Sequence, residues 1–429
     1  MAILMLLLLS LLLVTGFPIF IALSIPGFVA IRSFMPYVPN MVFANRMSGA
    51  VTTFTLLGIP FFIFAADIMG KGKIGPRLIS FAKTLVGHIS GGLAITTVLA
   101  CMIFGAISGA GVTGIVSIGK VVYPNLIEEG YGKRFSLGLV ITSSTLAMLI
   151  PPSLTILLYC VLASTSVRAV FMSGMTVGIL FGIVLCIYSY FYAKRRKKNI
   201  QPGTVPSFSE FKQKLKEALW ALGMPVIILG GIYSGIFTAT EAAAVSAVYA
   251  MFVEVFIYKD LTFKDIIEVA YKSAKTSTMV MVLLAGGSLM SWAITVSQVA
   301  QNLVSSLEAM NLSVMMILIY INVVFLIAGM FIDPTSIMVI MIPLIYPIAV
   351  AFDINLIFLG VVITLNMAIG MLSPPFGLNL FVGKAVFGVP YKEIIIGIWP
   401  FLCLGLLVLI ILLIFPDITT WLPNLLFSR

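Results

Sequence analysis

Charge is what this chain has least of. Asp, Glu, Lys and Arg together make up 9% of its 429 residues, whereas a soluble domain carries about 25%. Hydrophobic residues reach 61% and the mean hydropathy is +1.18, which excludes a soluble enzyme. Histidine is nearly absent. His88 stands alone, so HExxH and His-rich metal sites are excluded and nucleophilic catalysis has one candidate base; a structural or interfacial role suits it better. The four cysteines, Cys101, Cys160, Cys186 and Cys403, lie far apart in apolar stretches with no CxxC spacing. They read as small buried hydrophobes, not as a disulfide framework or a metal site. An intramembrane protease or lipid transferase would need a nucleophile–base pair, metal ligands or an acidic diphosphate-binding motif, and none is present. The chain does not read as an enzyme, and it calls for no cofactor.

What the chain has is a succession of apolar runs. At about 20 residues per crossing the length allows on the order of ten spans, with nothing left for an extramembrane domain. The first 16 residues look like the core of a signal peptide, but no basic residue precedes them, no A-x-A follows, and apolar sequence continues through Phe17, Ile19, Phe20, Ile21 and Leu23. A first crossing within about residues 3–31 is the better reading, with the N-terminus in the cytoplasm. Further runs cover roughly 53–70, 90–107, 114–127, 136–166, 170–192, 218–236, 241–258, 276–297, 312–332, 336–351, 355–388 and 396–415.

The net charge of +10 would suggest nucleic acid in a soluble chain. Here it follows from basic loops that mark the cytoplasmic side, and no nucleic-acid partner is implied. One such loop is Lys194-Arg195-Arg196-Lys197-Lys198, continued by Lys212, Lys214 and Lys216. A second carries Lys259, Lys264, Lys272 and Lys275, and a third Lys71, Lys73, Arg77 and Lys83. Ser207-x-x-Glu210 opens a basic amphipathic helix over 208–217 on the membrane surface. The turn Thr238-Ala239-Thr240 and the uncharged-to-acidic stretch 298–311 then face outward. This scheme works only if two runs do not cross. Residues 90–127 must enter from the cytoplasm and return there, and 312–351 must do the same from outside. Each has small polar residues at its midpoint: Ser108-Gly109-Ala110-Gly111 and Asp333-Pro334-Thr335-Ser336.

An internal repeat supports the two re-entrant hairpins. The Tyr-Pro pairs Tyr123-Pro124 and Tyr346-Pro347 are 223 residues apart, as are the Pro-Pro pairs Pro151-Pro152 and Pro374-Pro375; no other copies of either pair exist. The same shift carries Thr113 onto Ser336. Inverted repeats with broken helices are the mark of secondary transporters whose solute and ion sites lie near the bilayer midplane.

Pro-Pro in an apolar run frees backbone carbonyls, which survive in the bilayer only if buried in protein or lining a cavity. A sodium ion suits such neutral oxygens. The candidate sodium ligands are Ser108, Gly111, Ser143, Ser144 and Pro151 in the first copy, with Asp333, Thr335, Asn366, Ser373, Pro374 and Gly377 in the second. Each copy would form one site between a hairpin tip and the adjacent break. Ser108, Gly109, Thr113, Ser153, Thr335, Ser336 and Asn379 are the candidate solute contacts, where helix N-termini favour an acid. Of the carboxylates, Asp333 reads as an N-cap before Pro334, with ion or solute contact also open. Glu241 fits a capping box with Thr238. Asp67 is either functional or the partner of Lys71.

Several segments resemble the large membrane subunit of tripartite ATP-independent periplasmic (TRAP) transporters. Gly235-Ile-Phe-Thr-Ala-Thr-Glu-Ala-Ala-Ala-Val245 is similar to the family's GxFTPTEAAAV segment, with Ala239 at the usual Pro. Gly329-Met-Phe-Ile-Asp-Pro-Thr335, Ile369-Gly-Met-Leu-Ser-Pro-Pro-Phe-Gly-Leu-Asn-Leu380 and Gly58-Ile-Pro-Phe-Phe62 resemble three more signatures, with Ser373 replacing the usual Thr. The resemblance spans essentially the whole chain. It implies an all-α polytopic protein of the bacterial inner membrane, importing an organic acid (sialic acid or a C4-dicarboxylate) with sodium as coupling ion. It also implies a small four-span membrane subunit and a periplasmic solute-binding protein as partners. No four-span extension precedes the first crossing, so the small subunit is expected as a separate chain. An elevator mechanism is further implied. The layout would be scaffold spans and arm in 1–88, transport repeat 1 in 89–192, a cytoplasmic basic loop in 193–217, scaffold spans and arm in 218–311, and transport repeat 2 in 312–429. The connecting arms would be about 32–52 and 259–275, lying along the membrane lipid. The alternative is a stand-alone ion-coupled carboxylate transporter that needs no binding protein.

Overall fold

A computed structural model describes residues 1–196, 200 and 203–427, with no strand among them; Lys197 and Lys198 of the basic loop lie outside the described residues. Seven of the described helices are long and apolar enough to cross a bilayer. Their outer faces carry the apolar residues a soluble protein would bury: Ile179, Ile183, Ile187 and Phe191 recur every four residues along Val167–Arg195 and are all exposed. That spacing lays one stripe along the helix, directed at lipid. Buried Phe104, Phe171, Phe181, Phe325 and Phe401 fill the interior instead.

The 223-residue shift holds at the level of whole helices. It carries Gly92–Ser108 onto Val314–Gly329, and the segments from Gly111 to Glu128 onto Pro334–Ala351. Lys133–Thr145 and Leu154–Leu162 map onto Leu356–Gly370 and Leu378–Phe387. The match also covers the flanking helices. Ile74–Val86 corresponds to Val299–Ala309, and Asn40–Val51 with Gly58–Lys71 corresponds to the 34-residue helix Phe263–Val296. The first copy is split at Thr52-Thr53 where the second runs on unbroken. Neither Ile74–Val86 nor Val299–Ala309 was visible as a helix in the charge pattern.

Both hairpins return to the side from which they start. At the first, Lys83 on the way in meets Glu129 on the way out at 3.3 Å. At the second, Val314, Met315 and Leu318 line one cavity with Asp353, Ile354 and Asn355. The two broken helices run antiparallel. The start of the first is tied to the segment after the second by Arg134 and Glu393, through two hydrogen bonds of 3.0 and 3.2 Å. Near the far end of the first, the Tyr159 hydroxyl donates to the carbonyl of Leu356, where the second begins, at 2.7 Å. Inversion of the repeats is therefore built into side-chain contacts.

Three expectations need correction. The first apolar segment is not one crossing: a turn at residues 15–18 divides it into Ala2–Val14 and Ile19–Phe34, which pack against each other. Residues 208–217 are not a separate surface helix, because Phe208–Tyr233 runs unbroken from the Ser207 cap into the membrane. Cys403 is exposed on Tyr391–Ile414, although Cys101 and Cys160 are buried and Cys186 is half-buried. A further helix, Asp417–Phe427, packs on Val167–Arg195.

Candidate functional site

Each Pro-Pro pair interrupts a helix. Lys133–Thr145 tightens into a 3-10 turn at Leu146–Met148, and Leu154–Leu162 starts only beyond Pro151-Pro152. Leu356–Gly370 stops before Pro374-Pro375, and Leu378–Phe387 follows. Both Pro-Pro bonds are cis.

The first hairpin tip is seated on the first break. Gly109 caps Gly92–Ser108 at φ +61°, a left-handed conformation that glycine adopts without steric cost, and a side chain there would collide with the Pro152 carbonyl. A Cβ on Gly111 would stand 3.3 Å from the Ser144 carbonyl oxygen and 3.5 Å from the Asn379 amide nitrogen. Asn379 comes from the second repeat, so this site draws on both copies instead of one. The second hairpin meets the second broken helix most closely at a pair of glycines. A Cβ on Gly370 would lie 2.8 Å from the Gly329 Cα, so the two backbones touch.

Some of the buried polar atoms without partners lie here, while others, at His88, Thr96, Tyr131, Thr142, Ser173, Tyr233 and Glu254, do not belong to the breaks. The hydroxyls of Ser108 and Ser143, the side-chain oxygen of Asn366, and both polar atoms of Asn379 are enclosed and make no hydrogen bond. A buried group left this way costs about 1–3 kcal/mol, and four such residues at two breaks are an invitation to an oxygen-seeking cation. Other candidates are already committed. Ser144 donates to the Val140 carbonyl at 2.8 Å, and Ser373 to Ile369 at 2.9 Å. Ser153 caps Leu154–Leu162, accepting from the Ile156 amide at 3.2 Å and donating to the Met148 carbonyl. Those hydroxyls keep acceptor capacity, but their first duty is to the backbone. The carbonyls of Met371 and Ser373 crowd Gly377 within 3 Å of where its Cβ would be, but they accept the backbone amides of Asn379 and Gly377 at 3.2 and 3.0 Å, so each has only a second lone pair to offer beside Pro374.

Asp333 is an N-cap: one carboxylate oxygen accepts the Ser336 amide at 3.1 Å and the other its hydroxyl at 2.5 Å. With Thr335 and Ser336 it lines a cavity of about 870 Å³ that also reaches Lys275, Thr276 and Thr278 on the long helix. Thr113 lies apart from the first break. It lines a cavity of about 370 Å³ with Asp67, Lys71, Glu268 and Lys272. Asp67 does not pair with Lys71; it accepts from the Ser273 hydroxyl at 2.7 Å and lies 3.6 Å from Lys272, while Lys71 holds Asp265 and Glu268 at 2.9 and 2.6 Å. Glu241 forms the capping box with Thr238. His88 sits in the turn before the first hairpin, away from both breaks.

Asn322 was missed in the sequence. It is buried in Val314–Gly329, where its carbonyl and side-chain oxygens accept from the Asn366 amide at 2.8 and 2.9 Å. The only available signal was one Asn in an otherwise apolar run. Asn322→Leu should remove one of the two acceptors of the Asn366 amide, leaving the backbone carbonyl of residue 322, and cost about 1 kcal/mol, whereas Asn322→Leu with Asn366→Leu should cost less than the sum of the two single changes. Thermal unfolding of the three variants in detergent checks this; additive losses would contradict it.

Two antiparallel broken helices, two re-entrant hairpins and unpaired oxygens where they meet define an inverted-repeat membrane transporter. The comparisons give the family. A profile described as the tripartite ATP-independent periplasmic transporter, DctM component, matches residues 6–418, and the chain belongs to that family. It is 40% identical over 403 residues to the C4-dicarboxylate TRAP transporter large permease protein DctM of Pseudomonas aeruginosa, covering 94% of each chain. It is 36% identical over 419 residues to the ectoine/5-hydroxyectoine large permease protein UehC of Ruegeria pomeroyi, covering 97% of each. It is 34% identical over 384 residues to the sialic acid large permease protein SiaM of Vibrio cholerae, covering 89% of each. Among solved structures, the Alcanivorax borkumensis YdaH transporter shares the fold at a TM-score of 0.62 and 12% identity, with 87% of each chain covered. The protein is a multi-pass transporter permease and not an enzyme.

Proposed function

We propose that this chain is the translocating subunit of a sodium-coupled importer that takes an organic acid across the bacterial inner membrane. The observation that carries the reading is the set of buried, unpartnered oxygens of Ser108, Ser143, Asn366 and Asn379 at two oppositely directed breaks. Sodium, as cargo, would satisfy them together with backbone carbonyls beside Pro151 and Pro374. Ser144, Ser373, Gly111 and Gly377 stand around the same two breaks, and Asp333 and Thr335 stand at the second hairpin tip. The solute would contact the tips through Ser108, Gly109, Thr335, Ser336 and Asn379, with Thr113 and Ser153 further out.

The solute class rests on the relatives, which are named for C4-dicarboxylates, ectoine and sialic acid; each of these carries a carboxylate. A C4-dicarboxylate is the first choice, because the 40% identical relative is named for it. A periplasmic binding protein would deliver the solute, and a small four-span subunit would brace segments 1–88 and 218–311. The hairpins and broken helices of 89–192 and 312–429 would move against that brace as an elevator. With two helices before the arm instead of one, the N-terminus falls on the outer side.

Reconstitution tests this. The chain is placed in proteoliposomes with its small subunit, and uptake of the acid found by mass spectrometry on the purified binding protein is followed. Uptake should require both an inward sodium gradient and the binding protein. Uptake unchanged when sodium is replaced by potassium would sink the coupling. Uptake without the binding protein would favour the stand-alone carboxylate transporter.

A further inference from the structure

The internal repeat relates part of the lining of two cavities, one toward each face of the membrane, and their charges do not match. The inner one is the 370 Å³ cavity of Asp67, Lys71, Glu268 and Lys272. The 223-residue shift carries Glu268, Val269, Lys272 and Val116 of its lining onto Asn45, Arg46, Gly49 and Val339, which line a second cavity of about 640 Å³ together with Trp292. Positive-inside orientation puts this second cavity on the outer side, at the end of Phe263–Val296 away from its lysines. Inside, two acids and two bases oppose one another, Lys71 with Glu268 at 2.6 Å and Lys272 with Asp67 at 3.6 Å. Outside, Arg46 is the only charged residue of the lining. Among the described residues no carboxylate lies within ion-pair distance of it, and its guanidinium is held 5.4 Å from the Trp292 ring centroid.

We propose that Arg46 forms an outer receiving site that binds the carboxylate of the incoming solute. The proposal deepens the organic-acid reading and rests on it. A guanidinium matches a carboxylate through two parallel N–H donors, and the Trp292 face fixes its position without neutralising it. The hydroxyl-bearing residues Ser291 and Thr295 and the amide of Asn45 line the same cavity. The cavity spans both sides of the expected motion. Arg46 and Trp292 belong to the arm and the long helix, while Leu162 ends the first broken helix and Pro343 lies in the second hairpin. An acid seated on Arg46 therefore waits at the seam between scaffold and moving part. At the inner cavity the equivalent of Arg46 is Val269, and every charge there already has an opposite, so the same anion finds no free cation to hold it. Capture outside and release inside follow from that difference.

The test uses the complete transporter with its binding protein, offered radiolabelled succinate, N-acetylneuraminate and ectoine in turn. Arg46→Gln should lower uptake at limiting solute about ten-fold or more, with a smaller effect at saturation, and Arg46→Lys should recover part of it. A purely structural role for the side chain would impair Lys and Gln alike at all concentrations, and that result would overturn the proposal. A second measurement needs no variant. Phenylglyoxal should modify Arg46 in the wild-type protein, and the transported acid should slow that modification several-fold, as read by site-resolved mass spectrometry. No protection in a transporter that imports one of the three acids would overturn the Arg46 site. Import of none of them would instead overturn the organic-acid reading beneath it.

Discussion

Replacing Asn379 with leucine should reduce sodium-dependent uptake about ten- to hundred-fold while leaving the protein at least as stable as before. The two effects point in opposite directions for one reason. Asn379 is fully buried, and neither its amide nitrogen nor its side-chain oxygen has a partner. In a folded chain such a group is a liability of about 1–3 kcal/mol, and an apolar residue of similar shape removes it. The backbone contribution survives, because the Asn379 amide still donates to the Met371 carbonyl at 3.2 Å. If the side chain served packing alone, leucine would be harmless to transport. If it serves a coupling cation, leucine removes a ligand from a site that hydroxyls cannot complete alone. Thermal unfolding in detergent and uptake in proteoliposomes, measured on the same preparation, separate the cases. A variant that loses stability and transport together would remove Asn379 from the ion site.

Gly370→Leu should be the most damaging single change to assembly. Gly329 and Gly370 bring two helix backbones into direct contact, with a Cβ on either residue meeting the other's Cα at 2.8–3.0 Å. Overpacking a tight interior costs about 1–3 kcal/mol, sometimes more, and here no flexible side chain can move aside, because the obstacle is backbone. The first repeat makes the equivalent contact with Gly105 against Ala147, so the second hairpin has even less room than the first. Folded protein recovered from membranes should fall several-fold for Gly370→Leu. Gly230→Ala is the control: nothing lies within 4 Å of the added methyl, and glycine in a helix interior is worse than alanine by about 0.5–1 kcal/mol. Equal recovery of both variants would mean that the hairpin does not bear on the break.

Which parts of this could be read from the sequence depends on whether a residue's role is set locally. The repeat was legible because Tyr-Pro and Pro-Pro are rare pairs, and their spacing survives as whole helices. The Asp333 and Glu241 caps were legible because capping is decided within three residues. Asn322 was not, since its partner lies 44 residues away and nothing beside it marks the bond. Arg46 was overlooked in a segment read only as a connecting arm; its setting is made by Trp292, far along the chain. The turn at 15–18 was hidden because apolar residues continue on both sides of it. Ile74–Val86 buries Ile74, Leu78, Ile79, Phe81 and Ala82, a helical spacing masked by the lysines around it. Spacing also overstated the separation of the two candidate sites. Asn379 belongs to the second repeat by number and to the first hairpin tip by position.

The ties between the broken helices constrain how the transporter can turn over. Arg134 is fastened to Glu393 at one end, and Tyr159 to Leu356 at the other. Neither half can slide past the other without breaking both. The two interruptions are thereby held at a set spacing, so a displacement of one is handed on to the other.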